Sequence, residues 1–157
     1  NQVGAIPKVY NWKELEKTVF RLWKKTRAQQ VARSRRSNGG KFYFLDGPPF
    51  PSSDTPHIGT CWNKIIKDVV LRYKRAQGFN CRYQPGYDCH GLPIELAIEK
   101  RHDFKQKHEV EGYGLAKFVS ECKQFANKNS NAMSRVFADL GVWMDWEEPY
   151  LTHDDTY

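Results

Sequence analysis

The fifteen residues Asp46-Gly-Pro-Pro-Phe-Pro-Ser-Ser-Asp-Thr-Pro-His-Ile-Gly-Thr60 constrain the fold more than any other part of the chain. Four of them are prolines, Pro48, Pro49, Pro51 and Pro56. Proline fixes φ and lacks an amide donor, so this segment is neither strand interior nor helix interior. The apolar run Phe42-Tyr43-Phe44-Leu45 leads into it, and an amphipathic segment from Ile58 to about residue 76 leads out. The pattern predicts a strand, a stiff loop and a helix. Such a loop sits at the carboxyl end of its strand, where open α/β sheets bind ligands. His57, Gly59 and Thr60 stand at the helix start, beside amides that lack intrahelical partners and near the positive end of the helix dipole. A phosphate site at His57-Ile58-Gly59-Thr60 is the expectation.

Across 157 residues, 39% hydrophobic and 14% aromatic side chains supply enough apolar surface for one domain and argue against disorder. No apolar run approaches the roughly 20 residues of a membrane-crossing helix, and residues 1–20 lack a signal-peptide pattern. A soluble cytoplasmic protein without a membrane partner is expected. The net charge of +7 leans toward a polyanionic partner. Cys61, Cys81, Cys89 and Cys122 have no C-x-x-C spacing and no metal-site pattern, so reduced, mostly buried thiols are expected.

Taken in order, residues 10–32 read as one helix with Asn11 as its cap and Glu14 completing a capping box. The basic stretch 33–40 reads as a loop, either a solvated one or one that touches RNA phosphates. Residues 41–46 form the first strand, buried on both faces. The next helix should bury Ile58, Trp62, Ile65, Ile66, Val69, Val70 and Tyr73 and stop at Gly78. Residues 80–84 form a second, parallel strand, which completes a βαβ unit with a right-handed crossover. A turn-rich loop at 85–93 should lie beside the first loop and share one pocket with it. A short helix follows, with Pro93 in its first turn. Residues 101–114 read as a connector. Leu115, Phe118, Val119, Cys122, Phe125, Met133, Val136, Phe137 and Leu140 mark the inward face of one long helix or two short ones, ended by Gly141. The run Val142-Trp143-Met144-Asp145-Trp146 should pack against the body.

Neither a Walker loop nor G-x-G-x-x-G is present. In His57-Ile58-Gly59-Thr60 the glycine allows close approach of a ligand, the imidazole donates a hydrogen bond and Thr60 adds a hydroxyl. Asp88 either holds an ammonium group or bonds local turn amides. Cys89 and His90 suggest a nucleophile and base, but adjacent residues point apart and no third group is evident.

The segments Asp46-Gly47-Pro48-Pro49-Phe50, Pro56-His57-Ile58-Gly59-Thr60, Lys64-Ile65-Ile66-Lys67-Asp68 and Pro85-Gly86-Tyr87-Asp88-Cys89-His90-Gly91-Leu92-Pro93-Ile94-Glu95 resemble the isoleucyl-tRNA synthetase family in order and spacing. Residues 140–146 and 149–152 extend the likeness over most of the chain after Lys41. The family's phosphate motif usually ends in histidine; Thr60 stands there, as in archaeal-type members. The resemblance implies a class I aminoacyl-tRNA synthetase with a Rossmann-like parallel sheet. Residues 1–40 would be an N-terminal helix and basic loop. Residues 41–157 would be the first half of the catalytic domain, truncated before the editing insertion, with the C-terminal half of the synthetase missing. It implies isoleucine, ATP with Mg2+, and tRNA(Ile) as partners. His57 and Thr60 would be catalytic; Pro49, Phe50, His57, Gly59 and Thr60 would bind ATP; Gly47, Pro48 and Asp88 would bind the amino acid; no residue is assigned to a metal. Two alternatives stay open from the residues: a small nucleotidyltransferase, or a non-catalytic fragment that binds ATP or RNA.

Overall fold

The computed structural model describes residues 11–155. The expected helix start at residue 10 lies outside them. Helix α1 (Trp12–Thr26) begins where Asn11 accepts a hydrogen bond from the Glu14 amide at 3.3 Å. The capping box is half formed, because the Glu14 carboxylate turns instead to Lys17 at 2.9 Å. The single helix expected to residue 32 is broken at Arg27, whose φ of 49° is left-handed, and a separate α2 (Ala28–Ser34) follows. A non-glycine residue accepts that conformation at a cost. The bend carries α2 toward the far end of the chain. There Gln29 Nε2 donates to the Met144 carbonyl at 2.8 Å and Arg33 Nη1 to Asp145 Oδ1 at 2.8 Å.

Strand β1 (Lys41–Phe42) is much shorter than the expected 41–46. Among the described residues it pairs on one side only, in parallel with β2 (Asn80–Cys81), in the register Lys41↔Asn80 and Phe42↔Cys81. Alternate residues of an extended chain share one face, and Tyr43 and Leu45, which share one, are 82% and 70% exposed. Burial on both faces is therefore wrong for this strand. The crossover helix is α3 (Ile58–Ala76), with the expected bounds, so the βαβ unit is present.

The second strand also ends early. After Cys81 the extended chain leaves β1 and turns to residues 145–151. Tyr83 O accepts from the Asp145 amide at 2.9 Å and Pro85 O from the Tyr150 amide at 2.9 Å. Strand β3 (Gly86–Tyr87) then pairs in parallel with β4 (Tyr150–Leu151), inside what the sequence presents as a loop. Among the described residues the sheet is thus two short parallel pairs in a helix-rich α/β body, and not the broad Rossmann-like sheet expected.

Helix α4 (Leu92–His102) carries Pro93 in its first turn, as expected. The supposed connector at 101–114 contains α5 (Lys107–Tyr113), which the reciprocal Gln106–Glu109 capping box stabilises. Helix α6 (Leu115–Asp139) is one element of 25 residues. Its Phe118, Met133 and Phe137 are buried, whereas Leu115 and Val119, together with Leu140 just past its end, are exposed. The aromatic run packs as anticipated. Val142 and Met144 are buried, Trp146 stacks on Phe137 at 6.1 Å and Trp143 meets Trp23 edge-on at 5.1 Å. The Arg72 guanidinium lies 4.1 Å from the Trp143 ring centroid and 5.0 Å from that of Trp23. All four cysteines are free, three of them buried.

The largest departure concerns α3. All seven apolar residues expected inside it are exposed, with Ile58 at 74% and Trp62 at 68%. The buried face holds Cys61, Lys64, Asp68, Leu71 and Arg75. Its charges are paired or hydrogen-bonded. Lys64 and Lys67 meet Asp46, Arg72 meets Asp68 at 2.6 Å, and Arg75 donates to the Cys81 carbonyl at 3.1 Å. Helical periodicity located the two faces correctly and assigned the wrong one to this body's core.

Candidate active site

The loop from Gly47 to His57 is anchored at both ends. At its start Asp46, 1% exposed, takes Lys64 on Oδ2 and Lys67 on Oδ1, the latter at 3.0 Å. Both lysines belong to α3, so the end of the β1 segment is tied to the helix that follows the loop. Tyr150 Oη donates to the Asp46 carbonyl at 2.8 Å, and Asn129 Nδ2 donates to the Pro51 carbonyl at 3.0 Å from α6. Burial pulls the Lys64 ammonium below the ordinary lysine range, and the Asp46 charge partly restores it.

At the other end, His57 caps α3 with extended dihedrals, and its Nδ1 accepts from the Gly59 amide at 3.0 Å. A nitrogen that accepts carries no proton, so the neutral ring holds its proton on Nε2, on an exposed side chain. A Cβ at Gly59 would stand a tight 3.1 Å from His57 Nδ1 and would press on this bond. The helix start offers fewer free amides than expected. Gly59 N is taken by the His57 ring, and Thr60 N and Cys61 N donate to the His57 carbonyl at 2.9 and 3.1 Å. What remains for an anion is the Ile58 amide, the Nε2 proton, the Thr60 hydroxyl and the helix dipole.

The two loops do lie side by side. The Asp88 amide donates to the Pro49 carbonyl at 3.0 Å. Asp88 Oδ1 accepts from Thr152 Oγ1 at 3.3 Å and lies 3.4 Å from the His90 amide, so a turn bond is present. Oδ2 has no donor among the described residues. Gly47 and Phe50 are exposed, and Pro48 and Pro49 half-buried. Two cavities of about 640 and 560 Å³ open beside β1, one lined by Arg33, Lys41 and Arg82, the other by Asp46, Tyr150 and Asp154; neither is lined by His57, Thr60 or Asp88.

Cys89 is buried, donates weakly to the Tyr87 carbonyl at 3.6 Å, and has its thiol pKa pushed up to about 11 by burial. His90 beside it is exposed. These features remove the nucleophile–base reading. Among the described residues no group of three or more His, Cys, Asp and Glu side chains is placed to hold a metal ion. The supporting residues Tyr150, Thr152 and Asn129 were missed, because each acts from far along the chain on a neighbour that local spacing does not reveal.

His153 lies behind the second loop, buried, with Nδ1 unpartnered. Burial holds its pKa below the ordinary histidine value, against an upward pull from Asp154. A depressed folded pKa adds stability above the unfolded value, and that stability is lost as pH falls through the folded pKa. Thermal unfolding followed from pH 7 downward should therefore show a decline starting near pH 6.5. His153→Gln should flatten it; an unchanged decline would mean the histidine is not its source.

Comparison with known proteins places this geometry. The family model described as tRNA synthetases class I (I, L, M and V) matches residues 18–157. The isoleucine--tRNA ligase of Thermococcus kodakarensis is 46% identical over 149 residues, which is 94% of this chain and 14% of that protein. That of Sulfolobus acidocaldarius is 47% identical over 146 residues, and that of Haloarcula marismortui 42% over 154, each again matched over 14% of its length. The crystal structure of agnB2 LeuRS from Agrobacterium radiobacter K84, in a ternary complex with tRNA and LeuAMS, superimposes with a TM-score of 0.67 at 24% identity, over 95% of this chain and 16% of that one. With its strands, its two abutting loops and these relatives in agreement, the chain belongs to the class I tRNA synthetases, as a stretch homologous to isoleucine--tRNA ligases that spans about a seventh of their length.

Proposed function

We propose that this chain forms the first half of the site at which an isoleucine--tRNA ligase makes isoleucyl-adenylate and passes the acyl group to tRNA(Ile). The supporting observation is the hydrogen bond from the Asp88 amide to the Pro49 carbonyl, which sets the two motif loops against each other. On this reading residues 41–157 are the first part of the catalytic domain, and residues 1–40 an N-terminal helix and basic loop beside it. The remaining half-site comes from the C-terminal part of the synthetase. A cytoplasmic location goes with that role.

The groups present support the following chemistry. The isoleucine carboxylate attacks the α-phosphate of ATP, one P–O bond forms, and pyrophosphate leaves with the electrons of the other. Negative charge spreads over the phosphate oxygens as this happens. The Nε2 proton of His57 and the Thr60 hydroxyl, at the positive end of α3, supply donors and a dipole fixed before the reaction. Gly59 lets the nucleotide come close to the backbone, and Pro49 and Phe50 flank it. Asp88 holds the substrate ammonium through its free Oδ2, and Gly47-Pro48 form a rigid wall for the side chain. Magnesium arrives with ATP, and no residue of the chain is assigned to it.

Titration of a non-hydrolysable isoleucyl-adenylate analogue by calorimetry tests the reading. His57→Ala removes one donor to a charged group, so affinity should fall by about 1.5–3 kcal/mol, roughly 10- to 150-fold. Equal affinity in both proteins would take His57 out of the site.

A further inference from the structure

The basic stretch 33–40 and the net charge of +7 have no part in the adenylate end of the chain. α2 and the turn after it bring Arg35 and Arg36 against the last turns of α3. With Arg72, Arg75 and Trp143 they line a cavity of about 340 Å³. Four guanidinium groups thus border one cavity, and among the described residues no carboxylate lines it. Three of the four are held by carbonyls. Arg36 Nε donates to the Arg75 carbonyl at 3.0 Å, Arg72 Nη2 to the Gly141 carbonyl at 2.6 Å and Arg75 Nη2 to the Cys81 carbonyl at 3.1 Å. Among the described residues only Arg72 also has a carboxylate, Asp68, within salt-bridge reach. Arg35 is exposed and has no side-chain partner there. Arg75 is 8% exposed, and its Nη1 has no hydrogen-bond partner among the described residues. A buried donor left unpaired is costly, and like charges gathered at one cavity repel. The carboxyl ends of α2 and α3 meet here, and each is equivalent to about half a negative charge. The two dipoles offset about one of the three positive charges that lack a carboxylate. The rest is left for a ligand.

We propose that the cavity between α2 and the carboxyl half of α3 is a second phosphate-binding site, in which Arg35 and Arg36 close on the phosphate oxygens beside Arg75. A guanidinium fork matches phosphate in both shape and charge. A phosphate monoester carries about −1.5 to −2 at neutral pH, which answers the charge left over here better than the single unit of a carboxylate. Arg72, with its guanidinium 4.1 Å from the Trp143 ring centroid, forms a rigid wall. The site is separate from the one at the start of α3. Arg72 and Arg75 stand 15 and 18 residues after His57, about 22 and 27 Å along the helix axis, so one phosphate cannot touch both ends. The phosphate has two sources, a free inorganic anion or the backbone of an RNA laid across the basic stretch. Both present the same oxygens to the same arginines.

Calorimetry on the full 157-residue chain tests the site, with inorganic phosphate and a short oligouridylate as separate probes. At least one should bind. Arg35→Glu should weaken that binding about 10-fold or more, because a donor to a charged group becomes a like charge. Arg35→Gln removes the charge without reversing it and should weaken binding less; it carries the test if circular dichroism shows Arg35→Glu unfolded. Arg135→Glu makes the same change in net charge at an exposed position outside the cavity and should leave binding intact. His57→Ala alters only the other end of α3, so probe binding that depends on Arg35 should persist in it. Binding of phosphate alone supports a free-anion site. Oligouridylate binding that added phosphate displaces and added salt weakens supports a backbone contact. The proposal is overturned if neither probe binds, or if the Arg35 variants bind as the parent does. It is equally overturned if Arg135→Glu weakens binding as much as Arg35→Glu, or if His57→Ala alone abolishes it.

Discussion

Replacing Asp46 with alanine should lower the unfolding free energy by about 3–5 kcal/mol, a large share of the roughly 5–15 kcal/mol that holds a typical domain together. Among the described residues Asp46 is the only carboxylate within salt-bridge reach of Lys64, whose side chain is 2% exposed. Without it the ammonium stays buried and uncompensated. The deficit should shrink as pH is raised toward about 10, because a lysine whose folded pKa is depressed binds fewer protons folded than unfolded. The double variant Asp46→Ala, Lys64→Met removes both charges and should recover most of the loss, since Lys67 already reaches solvent. Urea unfolding of the parent and the two variants at pH 7 and pH 9.5 decides the matter. A double variant as unstable as Asp46→Ala would show that the carboxylate matters through Lys67 or the loop, and not through Lys64.

The second large effect concerns Asp88. If its free oxygen holds the substrate ammonium, Asp88→Asn should cost about 3–5 kcal/mol of affinity for the isoleucyl-adenylate analogue, at least about 100-fold in Kd. The same substitution keeps an oxygen for Thr152 and for the His90 amide, so the turn and its stability should hardly change. Calorimetry and thermal unfolding together distinguish the roles. Lowered stability with unchanged affinity would leave Asp88 in the turn and out of the pocket.

The residues that were legible in the sequence share a local cause. The bounds of α3 follow from Pro56, His57 and Gly78, and Asn11 caps α1 because its side chain reaches an amide three residues on. The adjacency of the two loops followed from parallel pairing of neighbouring strands, and the Asp88–Pro49 bond bears it out. What was illegible depends on distant partners. A 3.6-residue period shows that α3 has an apolar face, but not which body that face meets. Lys64 reads as an exposed lysine until Asp46 is placed beside it, 18 residues away. Gly86 reads as a turn residue, yet a Cβ there would overlap the Tyr150 ring, which local sequence gives no reason to expect. Strand lengths failed for a related reason. Residues 43–46 have strand composition, but among the described residues no second neighbour supplies ladder bonds.

The clasp between α1–α2 and the 143–146 run has a consequence for how the chain is made. Trp23 meets Trp143, Gln29 bonds the Met144 carbonyl and Arg33 pairs with Asp145, 112 residues downstream. Translation at about 5–20 residues per second puts roughly 6–22 s between the emergence of α2 and that of its partner. Throughout that interval Trp23 has at most Arg72 to pack on, and Trp143 and Gly141, which complete the surface for Phe20 and Trp23, are still missing. Ribosome-bound chains stalled before residue 143 should thus be cut readily by protease within α1, and chains stalled well past residue 155 should resist.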